Sequence, residues 1–504
     1  MVGQYLCGSL RCYWFSEQRR VMVNIIRYKY SVILLLVFFF NTRYPRYGTF
    51  AQNIEQLTKI TVNEAAPETR NYFVERRSYG TRTETEPPRY VRTLNLTGID
   101  IFRDIYWLDV GLDYRLRYEY RNNDFRRNIN TVDEPVLLRT RAFLALREIW
   151  DPFRFTIELE DARRYNSQFN RDIRDVNEFE PIQAFVELYF KEGLGAERPL
   201  SIKAGRMAFE FMDRRLIARN EWRNTTNTFQ GFRATFGQQI NDWQLNMLAV
   251  QPLERLKYDL DRPIEEQWFY GTIGNWRRWS HIVTLQPYYL GLRQDGGRSN
   301  IDRDIHTAGL RGYGIVGNTG FDYDLQVIYQ FGRHGTEQHS AFASTSEVGY
   351  TFDHLWLPRL ALFYGYASGD RDPTDNKNQR FERLFGFARP WSSNDYFQME
   401  NISNPKLIFE FSPAKKLRID TAYAIYWLAS DTDRWNAANL RDRSGKSGNF
   451  IGQEYNIRIR YKLTSCIDTS TGYAYFKPGE FTRNTGRSEN SHFFYIEVSI
   501  NAFK

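Results

Sequence analysis

The chain has 504 residues, of which 42% are apolar and 25% charged, which excludes wholesale disorder. Its mean hydropathy is −0.58 and it holds a single short apolar run, which excludes a bundle of membrane helices. Residues 1–51 carry seven Lys/Arg against Glu17, so +6 of the net +8 lies there; the nearly neutral remainder lacks the basic face that a nucleic-acid binder needs.

In chain order, the first feature is residues 32–40 (VILLLVFFF), preceded by Arg27 and Lys29 and followed by Thr49 and Ala51. A membrane-spanning helix needs about 20 apolar residues. This run is shorter and reads as the core of an export signal, with cleavage after Ala51 and Met22 as the better start. Residues 1–51 are thus an N-terminal extension plus signal peptide. Residues 52–104 are polar, with Pro67, Pro87 and Pro88, and read as a periplasmic lead-in without a domain of its own.

The body, 105–504, opens on LDVGLDYRLRYEYR (108–121), where Leu108, Val110, Leu112, Tyr114, Leu116, Tyr118 and Tyr120 share one face and Asp109, Asp113, Arg115, Arg117, Glu119 and Arg121 the other. Unbroken period two over this length predicts a strand. It exceeds the mean globular strand of about 5–6 residues and the roughly 9–11 that a tilted strand needs to cross a bilayer. The same alternation predicts strands at 105–121, 136–149, 153–164, 180–191, 199–209, 228–239, 242–253, 266–275 and 280–293. It continues at 304–315, 321–332, 342–352, 357–367, 405–411, 415–428, 450–463, 465–477 and 491–503. Short connections (150–152, 241–242, 316–320, 412–414) contrast with long ones (122–135, 210–227, 368–404, 429–449). Short turns at one end and long loops at the other describe an outer-membrane barrel. In lipid every backbone polar group must be paired, so the sheet must close. The expected fold is all-β: an antiparallel transmembrane β-barrel of about 18 strands. Its apolar face meets outer-membrane lipid, and the 83 aromatic residues supply interfacial girdles.

Several segments resemble the alginate export family: GRMAFEFMDRRLIARNEWRNTTNTFQGFRATF (205–236), ELEDARRY (158–165), PRLALFYGYASGDRDPTDNKNQRFERLFG (358–386), IGQEYNIRIRYKL (451–463) and YAYFKPGEF (473–481). Gln230 departs from it, standing where an acid is commoner. The resemblance implies an outer-membrane barrel in the cell outer membrane that exports an anionic exopolysaccharide, an alginate-like polyuronate, through an Arg-rich lumen.

Alternation turns Arg115, Arg117, Arg139, Arg141, Arg154, Arg233, Arg458 and Arg460 toward the lumen, together with Glu158 and Glu160. Arginine forks can bind successive carboxylates bidentately, and rings of basic side chains select anions when each site binds weakly. The connection after the fifth strand gathers Arg206, Asp213, Arg215, Arg219, Glu221 and Arg223 and is expected to fold inward as a constriction. Asp370, Asp372 and Asp375 lack the spacing of a complete Ca²⁺ loop and read as an acidic turn.

The leading expectation is a passive export pore, a monomeric barrel with no cofactor, no metal and a periplasmic export partner. The alternative is an anion-selective uptake porin for small acidic solutes. An outer-membrane hydrolase ranks third, because the six histidines form no cluster and no catalytic motif is present, so no catalytic residue is named.

Overall fold

The computed structural model describes residues 83–127, 130–297, 301–317 and 319–503. The signal peptide and the first part of the lead-in lie outside these described residues. Eighteen long strands follow one another: β1 (Leu108–Asn122), β2 (Val136–Trp150), β3 (Phe153–Tyr165), β4 (Asn177–Phe190), β5 (Leu200–Met207), β6 (Phe229–Phe236), β7 (Trp243–Glu254), β8 (Gln267–Trp276) and β9 (Thr284–Gln294). The series continues with β10 (Arg303–Ile315), β11 (Phe321–His334), β12 (Glu337–Thr351), β13 (Arg359–Ala367), β14 (Ile402–Ala414), β15 (Leu417–Trp427), β16 (Phe450–Lys462), β17 (Ile467–Pro478) and β18 (Ser491–Asn501). Each pairs antiparallel with its sequence neighbour, and β1 pairs with β18 from Asp113↔Asn501 to Asn122↔His492. The sheet closes, as backbone in hydrocarbon requires.

The pleat sorts the side chains. In β1, Asp109, Asp113, Arg115, Arg117, Glu119 and Arg121 are buried on the lumen side, while Leu112 and Leu116 are exposed on the outer surface. Leu144, Ile157, Phe232, Leu310, Val327, Leu362 and Leu407 extend that outer apolar surface around the barrel. The connections at 151–152, 237–242, 277–283, 316–320, 352–358, 415–416 and 463–466 are short, and their end of the barrel is the periplasmic one by the construction of such proteins. At the other end lie 123–135, 208–228, 368–401 and 428–449, with one two-residue hairpin at 335–336.

Two features differ from expectation. The lead-in does not stop short of the barrel: Val91–Thr93 adds to the sheet where β18 ends, with Val91↔Gly111 and Thr93↔Asp109. The aromatic residues, meanwhile, are not all girdle. Phe125, Tyr396, Phe397, Tyr426, Trp435 and Phe476 stack inside, with Phe397 3.7 Å from Tyr426 and 5.1 Å from Trp435 between ring centroids. They form an internal hydrophobic core beneath the long loops, where the inward-folded chain itself must bury apolar surface.

Strands β5 and β6 carry paired glycines, each packed closely against the strand on its other side, β4 and β7 respectively. Gly205 and Gly231 face each other at φ +133° and +149°, and a Cβ on either would lie 2.4 Å from a neighbouring carbonyl oxygen. Gly231→Ala should therefore cost about 1–3 kcal/mol. It should lower the denaturant midpoint at which the barrel loses its heat-resistant gel mobility. Gly312→Ala, whose Cβ would meet nothing closer than 3.4 Å, should leave it unchanged.

Candidate functional site

Residues 208–228 leave β5 and turn into the lumen before β6. Carrying backbone into a protein interior is costly unless its polar groups are met, and here the barrel wall meets them. Arg115 donates to the carbonyls of Glu221 (2.7 Å) and Arg223 (2.8 Å), and Arg117 donates to that of Trp222 (2.7 Å). Arg141 donates to Glu221 Oε2 (2.7 Å) and Thr226 Oγ1 (2.6 Å), and Arg139 to Glu221 Oε2 (3.3 Å). Asn224 Nδ2 donates to three carbonyls, of Leu138, Arg163 and Asp175. The 368–401 connection also turns inward and joins it: Phe385 N donates to Leu216 O (3.0 Å) and Ala218 N to Phe385 O (3.2 Å). Phe385 packs edge-on against Phe229 and Phe269.

These loops divide the lumen. On the long-loop side is a chamber of about 500 Å³ lined by nine arginines and five carboxylates. Arg223 and Arg383 lie in it, and among the described residues no carboxylate reaches either guanidinium within salt-bridge distance. Burial, with Arg255, Arg174 and Arg383 nearby, pulls the Arg223 pKa down to about 9, so it stays charged at neutral pH in a field of excess positive charge. On the short-turn side is a chamber of about 1000 Å³ whose wall includes Arg154, Arg219, Arg233 and Lys203. Arg139, Arg141 and Glu221 also border a small cavity of about 120 Å³ beside Glu84, Pro88 and Arg89 of the lead-in.

The residues singled out from sequence therefore fall into different settings. Arg115, Arg117, Arg139 and Arg141 do face the lumen, but they are 2–4% exposed and grip the inward loop rather than open water. Glu158 accepts from Tyr90 (2.5 Å) and Arg219 (2.9 Å), and Glu160 accepts from Arg141 (2.8 Å) and Thr226 (2.7 Å). Arg458 and Arg460 both close on Asp420 of the adjacent strand. Arg154 lies over the Tyr189 ring at 3.5 Å, on the wall of the larger chamber. Arg206 is the penultimate residue of β5 and pairs with Glu180 rather than joining the loop. Asp213 and Arg215 pair with each other (2.6 Å), with Arg215 over Phe363. The acidic turn is made of side-chain caps: Asp372 Oδ1 accepts from Thr374 N (2.9 Å), and Asp375 Oδ1 from Lys377 N (3.0 Å).

Sequence reading passed over Arg255 and Arg383, which lie in connections far from the 205–236 block, and the lead-in residues described below. It also passed over Asp261, in the connection 255–266. Asp261 is 2% exposed and accepts from Asn177 and from the backbone of Leu256, while its own N–H donates to Glu180. Burial pushes its carboxyl up from 3.8 to about 6, against the pull of these donors and of Arg255. A carboxyl raised by docking contributes stability at low pH that is lost as pH climbs through the raised value. Amide exchange in 255–266, corrected for intrinsic rates, should therefore accelerate between pH 4.5 and 7. Asp261→Asn should flatten that dependence.

A family model described as alginate export matches residues 106–495. Similar solved structures include OpdO of Pseudomonas aeruginosa (TM-score 0.52, 14% identity, covering 78% of this chain and 96% of that one) and OccAB3 of Acinetobacter baumannii (0.52, 12%, 78% and 99%). A third is the outer membrane protein OprD from Pseudomonas aeruginosa (0.51, 14%, 78% and 93%). At these identities the likeness is one of fold. No curated protein matches the chain.

Proposed function

The chain belongs to the alginate export family and is an outer-membrane β-barrel of channel type, and from that premise we propose that it conducts an acidic polysaccharide outward. The cargo is a polyuronate or a chain of similar charge. The observation that carries this reading is the chamber on the long-loop side, with nine arginines against five carboxylates and four guanidinia (Arg127, Arg223, Arg255 and Arg383) without a salt bridge among the described residues. Such a surface attracts a carboxylate on every sugar, while the acids interspersed among the arginines keep each contact weak enough to release. The barrel acts as a monomer, because closure leaves no sheet edge to pair. A periplasmic partner would deliver the chain to the short-turn end.

One observation favours a second reading, an anion-selective uptake porin for small acidic solutes: the inward-turned 208–228 and 368–401 segments meet inside the lumen. Conductance of the refolded barrel in a planar bilayer separates the two. Export predicts anion-selective current that a polyuronate blocks at far lower sugar-unit concentration than the monomeric uronate. Equal block by both, per sugar unit, would support the porin and overturn the export reading.

A further inference from the structure

The chamber on the short-turn side contains part of the chain's own lead-in. Residues 83–89 run along its wall, and the Glu86 carboxylate bridges two cations that face each other across β5 and β6: Arg233 Nη1 at 2.5 Å and Lys203 Nζ at 3.0 Å. Arg233 is itself held in place, its other nitrogen donating to Asn246 Oδ1 at 3.0 Å. A single carboxylate gripped by a fork and an ammonium is the arrangement that one uronate unit would make there.

The way the segment is seated separates a buried anchor from an exposed tip. The anchor is Tyr90–Thr93: Tyr90 and Val91 are 7% and 4% exposed, and the Tyr90 hydroxyl donates to Glu158. Gly111 makes room for it, since a Cβ there would lie 2.7 Å from the Tyr90 ring and 2.9 Å from Val91. The tip is Thr85, Glu86 and Pro87, all exposed to the chamber, and the Glu86 side chain keeps 41% of its surface. Glu86 is therefore held by ion pairs with little apolar burial, the kind of contact that a competing charge replaces readily. The segment also changes the balance of the chamber. With it, eight basic residues face five acids; without Glu84, Glu86 and Arg89, seven face three.

We propose that Arg233 and Lys203 form a carboxylate-binding subsite, and that Glu86 occupies it as a built-in competitor which an acidic sugar unit of the cargo displaces on entry. This rests on the export reading above. The self-ligand would then fill the subsite and narrow the chamber at the periplasmic end when no cargo is present, and the first sugar to bind would take its place. Burial would raise the Glu86 carboxyl, but Arg233 and Lys203 more than offset this and hold it well below the usual range, so the competitor stays charged in any mildly acid medium.

The test uses the full barrel in a planar bilayer, with glucuronate and polygalacturonate added to the short-turn side and, separately, to the long-loop side. Glu86→Gln removes the competitor's charge. Gly111→Val displaces the anchor without touching either cation. An occupied site weakens apparent affinity by the fraction of time it is filled. Both variants should therefore show higher resting conductance and block by glucuronate at about tenfold lower concentration from the short-turn side only. Adding Arg233→Gln to Glu86→Gln should abolish that gain. Wild-type block in both single variants, with polygalacturonate still blocking all of them, would overturn the built-in competitor and leave the export reading standing. Failure of either uronate to block any variant from either side would overturn both.

Discussion

Glu221→Gln should release the inward loop and raise single-channel conductance several-fold, the largest change expected from one substitution. Its carboxylate takes Arg141 at 2.7 Å, Arg139 at 3.3 Å and Arg219 at 3.2 Å, and its carbonyl takes Arg115 at 2.7 Å. Removing one partner of a buried ionic cluster leaves its cations without compensation, which costs about 3–5 kcal/mol. The loss falls on loop docking, because the strand ladder is independent of it. Burial would raise the Glu221 carboxyl, but the three arginines more than offset this and hold it well below the ordinary carboxylate range. A depressed carboxyl contributes stability that is present above its ordinary pKa and disappears only as pH falls through the depressed value. The difference between wild type and Glu221→Gln should therefore be constant from pH 5 to 8. Unchanged conductance in the variant would mean that the loop is pinned by its backbone and by the 385–387 contacts alone.

The second large effect is expected from Arg223→Gln combined with Arg383→Gln. These are two of the four guanidinia without a salt bridge among the described residues in the chamber on the long-loop side; of the others, Arg127 lies over Phe169 and Arg255 donates to Asn227. A hydrogen bond to a charged group contributes about 1.5–3 kcal/mol, so loss of even one such contact should weaken polyuronate block by roughly ten- to a hundredfold. The preference for anions over cations should fall with it. Arg458→Gln is the matched control, since its guanidinium is engaged with Asp420 at 3.0 Å, and it should change either quantity little. Equal effects from the control and the double variant would show that selectivity comes from net charge rather than from these two side chains.

The wall of this molecule was legible in the sequence because period-two alternation is a local property. LDVGLDYRLRYEYR carries its inside and outside faces in consecutive residues, and all 18 long strands could be placed that way. The connection 208–228 stood out in the sequence for its density of charged residues. What fills the lumen was less legible. Arg115 and Arg117 read as open lumen residues because their acceptors are backbone carbonyls of 221–223, which every residue possesses and no pattern marks. The pairing of Phe385 with Leu216 joins segments far apart in the chain, and nothing in either predicts the other. Glu86 and Gly111 look ordinary until Val91 is seen opposite Gly111.

The junction of β1 with β18 bears on how the protein assembles. Arg117 and Glu497, which meet there at 3.3 Å, are 380 positions apart in the chain, and contacts of such long range form slowly. The same Arg117 holds Trp222, only 105 positions away. Loop-closure entropy grows with the length enclosed, so the grip on the inward segment can form while the last strands are still being laid down. It then fixes the register of the first strand before its final neighbour arrives. The plug doubles in this way as a jig for cylinder closure. A variant that loosens it should also slow the late step of refolding into lipid, apart from anything it does to the current.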